Sequence, residues 1–378
     1  MPEEPYNPEK PIGEKIREII EKTHPKEGVV KVSRVGKRYK IQRDHDYWKD
    51  FEEEVATDGA GTKGSIHNQQ KTFSYAAQDA VAMTLDDLIE YNFEPRFLQA
   101  HIMLQKDDDE AKLQLVNGIT NLCLANTWED SRGRKYPVIY TGGETAVLNT
   151  LQGLEVGITA VGYAKPQDIL IPHAYPGLEL LGIASSGFHS NGYTLLREIF
   201  PVSRWDQPAP WNTNRTIGEE LTIPTTIYLD TLKEILKDYR PHIKGLVHVT
   251  GGGLTKLKEL SPFYHDVNME IERYSSFKKN PDRPEFNEDV MPMFQWVYEN
   301  YMKTKYPENA DKLMCRWLNN GLGYVVMTTP DYSDQITNSI TRSLGQAWLA
   351  TTIGKITEGT GKIKINSIYS DKVVEFPI

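Results

Sequence analysis

Two cysteines in 378 residues, Cys123 and Cys315, lie too far apart in sequence to suggest a disulfide framework or a cysteine-built metal site. That fits a reducing compartment, and a cytoplasmic protein is expected. No apolar run approaches the roughly 20 residues needed to cross a bilayer. The opening MPEEPYNPEK is charged and proline-rich where a secretory signal needs an apolar core, so no membrane partner is expected. Positive charge is also short. Lys and Arg number 43 against 52 Asp and Glu, a net charge of −9, which argues against a general nucleic-acid or anionic-membrane surface. Any anionic ligand must therefore be met locally. The chain lacks a G-x-x-x-x-G-K-[ST] stretch, which excludes a P-loop, and its histidines show no zinc-ligand spacing. Short-period repeats and low-complexity tracts are absent as well.

What is present describes a folded protein with a sizeable core: 39% apolar, 25% charged and 10% aromatic residues. At about 150 residues per domain the length suggests two or three domains, and two is the working count. Residues 1–53 read as a polar N-terminal extension. It carries one amphipathic helix, IGEKIREIIEKTH, and a hairpin, VVKVSRVGKRYKIQ, whose cations read most simply as a solvated face, with phosphate contact as the alternative. From 54 to 166 strand-like and helix-like stretches alternate: VATDGAGTK, SYAAQDAVAMTLDDLIEYN, PRFLQAHIML, DEAKLQLVNGITNLCLANTWED, YPVIYTGGE and LEVGITAVGYA. AKPQDILIPHAYPG then interrupts with three prolines and a glycine, and the boundary is placed there. Residues 167–378 resume the alternation through LELLGIA, IKGLVHV and GYVVMTT. The fold class is α/β (α+β), in two domains.

Five apolar runs end abruptly in glycine with a charged or hydroxyl residue: ATDGAGTK, YTGGETA, ASSGFHSNG, VTGGGLT and NNGLGY. In open α/β sheets ligands bind at strand ends, and glycine lets them approach the backbone closely. Asp58, Asp79, Asp86, Asp87 and Glu144 are carboxylates able to share a magnesium ion with ATP phosphates, and Lys63 is placed to meet a phosphate. Asp79 and Asp86/Asp87 fall on one helical face, though surface charge explains them equally well. His189 is a candidate proton shuttle and Asn191 a group that orients an amide. An ordinary cap and tight turn would use the same Ser, Asn and Gly residues. His248, inside an apolar run, reads as a strand histidine.

The motifs DGAGTK, QDAVAMTLDDL, GGETA, SSGFHSNGYTLLREI, IPTTIYLDTLKEIL, HVTGGGL and NNGLGYVV occur in an order that resembles the phosphoribosylformylglycinamidine cyclo-ligase family, the aminoimidazole ribonucleotide synthetases, over residues 54–355. The resemblance implies ATP-dependent ring closure of formylglycinamidine ribonucleotide in purine biosynthesis. It also implies a homodimer in which the N-terminal sheet joins its partner's to form a β-barrel, beside a larger C-terminal α/β domain. By motif it makes Asp58, Asp79, Asp87 and Glu144 the magnesium residues. ATP and phosphate binding would fall to Asp58, Gly59, Gly61, Thr62, Lys63, Gly142, Gly143, Glu144, Thr145, Ser186, Gly187, Gly251, Gly252 and Gly253. His189, Asn191 and Lys63 would serve catalysis.

The departures are specific. Residues 1–57 hold only Gly13, Gly28 and Gly36 where the family carries a glycine-rich phosphate loop, and the family's GGETAEMPG reads GGETAVLNT. The loop NCG-x-GM reads NNGLGY. Rivals within the superfamily fit less well: selenide-activating enzymes need a reactive N-terminal cysteine, hydrogenase-maturation proteins end in cysteine, thiamine-phosphate kinases lack HSNGY, and the amidotransferase of the preceding step is far longer. A catalytically silent nucleotide-binding paralogue is the rival from another class.

Overall fold

Residue spacing dictates the elements before any packing is considered. In LEVGITAVGYA, Leu154, Val156, Ile158 and Ala160 alternate with half-buried neighbours, the period of a strand with one covered face. The computed structural model describes residues 11–263, 266–274, 290–345 and 350–378. The chain divides into two compact units, Met1–Ile89 with Phe93–Ile169, and Glu90–Asn92 with Leu170–Ile378.

Unit 1 contains helix α1 (Pro11–Ile20), strands β1 (Val30–Val35), β2 (Arg38–Arg43) and β3 (Glu52–Gly59), helix α2 (Phe73–Glu90), strand β4 (Glu94–Leu104), helix α3 (Asp109–Ala125), and strands β5 (Ile139–Val147) and β6 (Leu154–Ala164). The main sheet runs β3-β6-β4-β5. Helix α3 carries the chain from β4 to its parallel neighbour β5. Its first turn is capped by Asp108, whose carboxylate accepts the Ala111 N–H at 3.0 Å. The described strands form an open sheet, with β3 and β5 at its edges and no closed barrel.

The segment read as a polar extension is built into this unit from residue 11 onward; its first ten residues lie outside the described ones. Val29, Val30, Val32 and Trp48 share one apolar cluster with Phe97, Trp128, Tyr136, Ile139 and Tyr163. Arg96 is inserted among these rings, its guanidinium 4.4 Å from the Phe51 ring centre, 4.5 Å from Trp128 and 5.0 Å from Trp48. Such contacts offset part of the cost of burying a charge.

Unit 2 is a seven-stranded mixed sheet. Its elements are β7 (Glu179–Ala184), α4 (Tyr193–Ile199), α5 (Leu229–Tyr239), β8 (Ile243–His248), β9 (Val267–Ile271), α6 (Ala310–Trp317), β10 (Leu322–Thr328), α7 (Ser333–Leu344), β11 (Ala350–Glu358), β12 (Lys362–Asn366) and β13 (Val373–Pro377). The strand order is β8-β10-β7-β11-β9-β12-β13. Every residue of β10 is buried, which is why GYVVMTT is a continuous apolar run rather than an alternating one. The mixed α/β class read from the sequence holds in both units.

Candidate functional site

Strand β3 of unit 1 ends in the DGAGTK turn. The Gly59 N–H donates to the Asp58 carboxylate at 2.6 Å, and the Gly61 N–H donates to Glu155 at 3.2 Å. Gly61 sits at φ +54° with nothing within 4 Å of an added Cβ, so its backbone is open to a ligand. Thr62 is exposed beside it. Burial pushes the Glu155 carboxyl upward and the charge of Asp58 adds to this, opposed by donating N–H groups of Gly61 and Val156. Glu155 is thus a second acid at this turn, missed because nothing in LEVGITAVGYA marks it.

Lys63 turns inward. Its ammonium lies 2.9 Å from Asp79 in a site with no solvent exposure for either side chain. His67 Nε2 lies 2.7 Å from the same carboxylate and Nδ1 lies 2.7 Å from the Thr72 hydroxyl. Burial opposes the Asp79 charge, but Lys63 and His67 outweigh it and hold the carboxyl well below its ordinary range. Burial likewise pushes His67 below its usual value against the pull of Asp79.

The four carboxylates expected to grip one cation are not gathered within a single chain. Asp79 serves the Lys63 ion pair. Asp87 lies eight residues further along α2, about 12 Å along a helix axis, where its charge helps burial raise the Glu54 carboxyl. Cross-strand register separates the other two. Asp58 shares a row with Ile158 and Ala100, both buried, while Glu144 shares one with Gly157 and the exposed His101. They therefore project to opposite faces of the sheet, three strand spacings or roughly 14 Å apart. Among the described residues no three His, Cys, Asp or Glu side chains form a metal cage.

The GGET stretch lies on edge strand β5. Gly143 is demanded by packing: at φ +148° its Cβ would stand 1.8 Å from the Ala100 carbonyl oxygen. Gly142, at φ +98°, faces the Tyr39 ring, and together with Glu144 and Thr145 it lines a cavity of about 400 Å³.

In unit 2 four motifs distant in sequence meet through neutral hydrogen bonds. Asn191 donates from Nδ2 to the Val249 carbonyl at 3.0 Å, tying HSNG to HVTGGG. Asn319, from NNGLGY, donates to the Gly187 carbonyl at 2.9 Å and accepts the Gly321 N–H at 2.9 Å. Ser186 donates to the Pro224 carbonyl at 2.7 Å, and Ser190 pairs with Thr225 at 2.9 Å, bringing in IPTT. His189, buried and at φ +56°, accepts the Ser186 N–H on Nε2 at 3.0 Å, which places its ring proton on Nδ1. In this arrangement His189 shapes the loop. Gly251 and Gly252 present exposed backbone, whereas a Cβ on Gly253 would come 2.5 Å from the carbonyl oxygens of Cys315 and Leu318. Asn319 lies in NNGLGY, a segment marked in the sequence for its glycines, and only its partner across the loop shows what it does.

Two mixed α/β units with glycine-rich strand ends define the class, and comparison with known proteins agrees. Residues 51–164 match the N-terminal domain of AIR synthase related proteins, and residues 175–365 match their C-terminal domain. The chain belongs to this family. A phosphoribosylformylglycinamidine cyclo-ligase of Methanococcoides burtonii is 36% identical over 228 residues, covering 59% of this chain and 65% of the relative. The chain thus spans just under two thirds of that relative's length. A protein of the same name from Nitratidesulfovibrio vulgaris is 27% identical over 307 residues, covering 79% of this chain and 78% of its own. A thiamine-monophosphate kinase structure from Stenotrophomonas maltophilia K279a superposes with a TM-score of 0.62 over 96% of this chain and 98% of that one. At 13% identity, that likeness speaks for the fold alone.

Proposed function

We propose that this protein is an ATP-dependent cyclo-ligase that converts formylglycinamidine ribonucleotide to aminoimidazole ribonucleotide in purine biosynthesis, in the cytoplasm. The observation that carries the reading is the match of both family domains in order, alongside relatives named for that activity. ATP transfers its γ-phosphoryl group to the amide oxygen, breaking the bond to ADP. The amidine nitrogen then attacks the activated carbon, and the carbon–oxygen bond breaks to release phosphate as the ring closes. Phosphorylation turns a poor leaving group into a good one, and binding supplies proximity.

The residues divide the work by where they lie. The open Gly61–Thr62 backbone beside Asp58 suits a phosphate oxygen, and Asp58 suits a carboxylate by which magnesium is shared with a nucleotide. When bound, Mg²⁺ would neutralise phosphate charge. Lys63, committed to Asp79, fixes the turn that presents these groups. In unit 2 the exposed Gly251–Gly252 backbone and the half-buried Ser186 are assigned to substrate phosphate and amide, with His189 and Asn191 holding that surface in shape.

The opposite facing of Asp58 and Glu144 gives the proposed homodimer a chemical reason. Strands β3 and β5 are the two outer strands of the sheet, and Val55 on β3 is 61% exposed, while on β5 the Tyr140 N–H and carbonyl already meet Thr23 and His24. Pairing two copies along these edges lets Asp58 of one copy and Glu144 of the other attend one nucleotide. Purified protein with substrate, ATP and magnesium should release ADP, phosphate and aminoimidazole ribonucleotide, resolved by chromatography; no product sinks the enzymatic reading. For the dimer, Asp58→Asn and Glu144→Gln chains, each inactive alone, should regain about a quarter of wild-type turnover when mixed and exchanged. No recovery on mixing would place both groups in one chain's site.

A further inference from the structure

The cavity beside Gly142 is roofed by a segment that precedes both matched family domains. Helix α1 and the β1–β2 hairpin contribute Arg17, Lys37 and Arg38 to its lining, together with Lys112, Gly142 and Glu144. At about 400 Å³ it falls in the range of small-molecule pockets.

Its charge runs against the rest of the chain. Four cations and one carboxylate line it, in a protein of net charge −9. Two of the cations are already engaged: Arg17 with Glu14 at 2.9 Å, and Lys112 with Asp107 and Asp109. Lys37 and Arg38 make no ion pair or side-chain hydrogen bond among the described residues. The roof is nonetheless held in place. Gly36, at φ +63°, and Lys37 form the two-residue turn closed by the Val35–Arg38 pair. Arg34, at the end of the same strand, donates to Glu14 of α1 at 2.7 Å. The Tyr39 hydroxyl reaches the Arg17 carbonyl at 3.5 Å. Two uncommitted cations on an anchored turn, lining the same cavity as a glycine backbone, suit a multiply charged anion.

We propose that Lys37 and Arg38 clamp the triphosphate of ATP in this cavity, over the Gly142–Thr145 backbone, taking the part of the glycine-rich loop this chain lacks. The proposal rests on the ATP-using reading above. For these cations it takes the phosphate-contacting alternative over the solvated face.

The test is calorimetric binding of ATP, inorganic triphosphate and AMP to wild type, to the double variant Lys37→Ala/Arg38→Ala, and to Lys40→Ala. Lys40 is an exposed cation on the same hairpin that does not line the cavity. The double variant should bind ATP and triphosphate at least tenfold more weakly and raise KM for ATP with kcat little changed, while AMP binding holds and Lys40→Ala behaves as wild type. Unchanged ATP affinity in the double variant, or equal losses for AMP or in Lys40→Ala, overturns the clamp while leaving ATP use intact. A wild-type protein that neither binds ATP nor turns over overturns both readings. Urea unfolding of each variant checks that the hairpin remains folded.

Discussion

Unit 1 and unit 2 each end an apolar strand in a glycine-rich turn, but they hold those turns by different physics. Unit 1 uses buried charge: Lys63, Asp79 and the neutral His67 form one sealed group behind DGAGTK. Unit 2 uses neutral bonds, with Asn191, Asn319 and Ser186 each satisfying a backbone carbonyl of a distant loop. Charge in a dry site binds strongly when complete and penalises severely when broken, whereas neutral bonds fail one at a time. The first turn should therefore be sensitive to pH and all-or-none. The second should be graded.

The largest effect expected from that contrast is in Asp79→Ala, which removes the carboxylate paired with the buried Lys63 ammonium and should cost about 3–5 kcal/mol in urea unfolding. The paired change Lys63→Met/Asp79→Leu should recover part of that stability, because it removes the buried ammonium while still depriving His67 of its carboxylate. Recovery without activity would assign Lys63 a functional part; no recovery would mean the pair is not isolated as described. Asn191→Ala, by contrast, leaves only the Val249 carbonyl unpaired and should cost about 1–3 kcal/mol. A cost equal to that of Asp79→Ala would dissolve the distinction between the two units.

Acid separates them further. His67 is held neutral in the fold, since burial pushes it below the 6.5 of a free imidazole, so unfolded chains take up a proton there that folded ones refuse. That contribution is complete above pH 6.5 and drains away as pH falls below it. Asp79, held low by its partners, adds a second contribution that is complete above the ordinary carboxylate range and is lost only in stronger acid. Urea midpoints measured between pH 7.5 and 5 should fall for wild type and flatten in His67→Gln. An unchanged slope in the variant would remove His67 as the source. The smallest expected effect is Gly143→Ala. Its Cβ has no room against Ala100, so a destabilisation above about 1 kcal/mol should accompany any loss of activity. Lost activity at full stability would restore a ligand-contacting role for Gly143.

Most strands and helices could be read from the chain because their signals are local: alternation in β6, unbroken apolar residues in β10, a cap at Asp108. The site was legible as motifs but not as geometry. Asp58 and Glu144 lie in similar stretches, and only cross-strand register sends them to opposite faces. Asp79 looked like a helix-face carboxylate until Lys63 folded in beside it. Glu155 carried no signal, and Asn319 was marked only by the glycines beside it, because each matters through a partner far along the chain.

The sequence by itself determined which segments are strands and helices, the two-domain α/β plan and the family, since periodicity, capping and motif order are properties of neighbouring residues. Tertiary structure alone decided which carboxylates are available, that Val29, Val30, Val32 and Trp48 of the polar N-terminal segment join an apolar cluster of unit 1, and which loops meet around His189. Those outcomes depend on pairing between residues up to more than a hundred positions apart, as in the Asn319 bond to Gly187, and no local spacing encodes them.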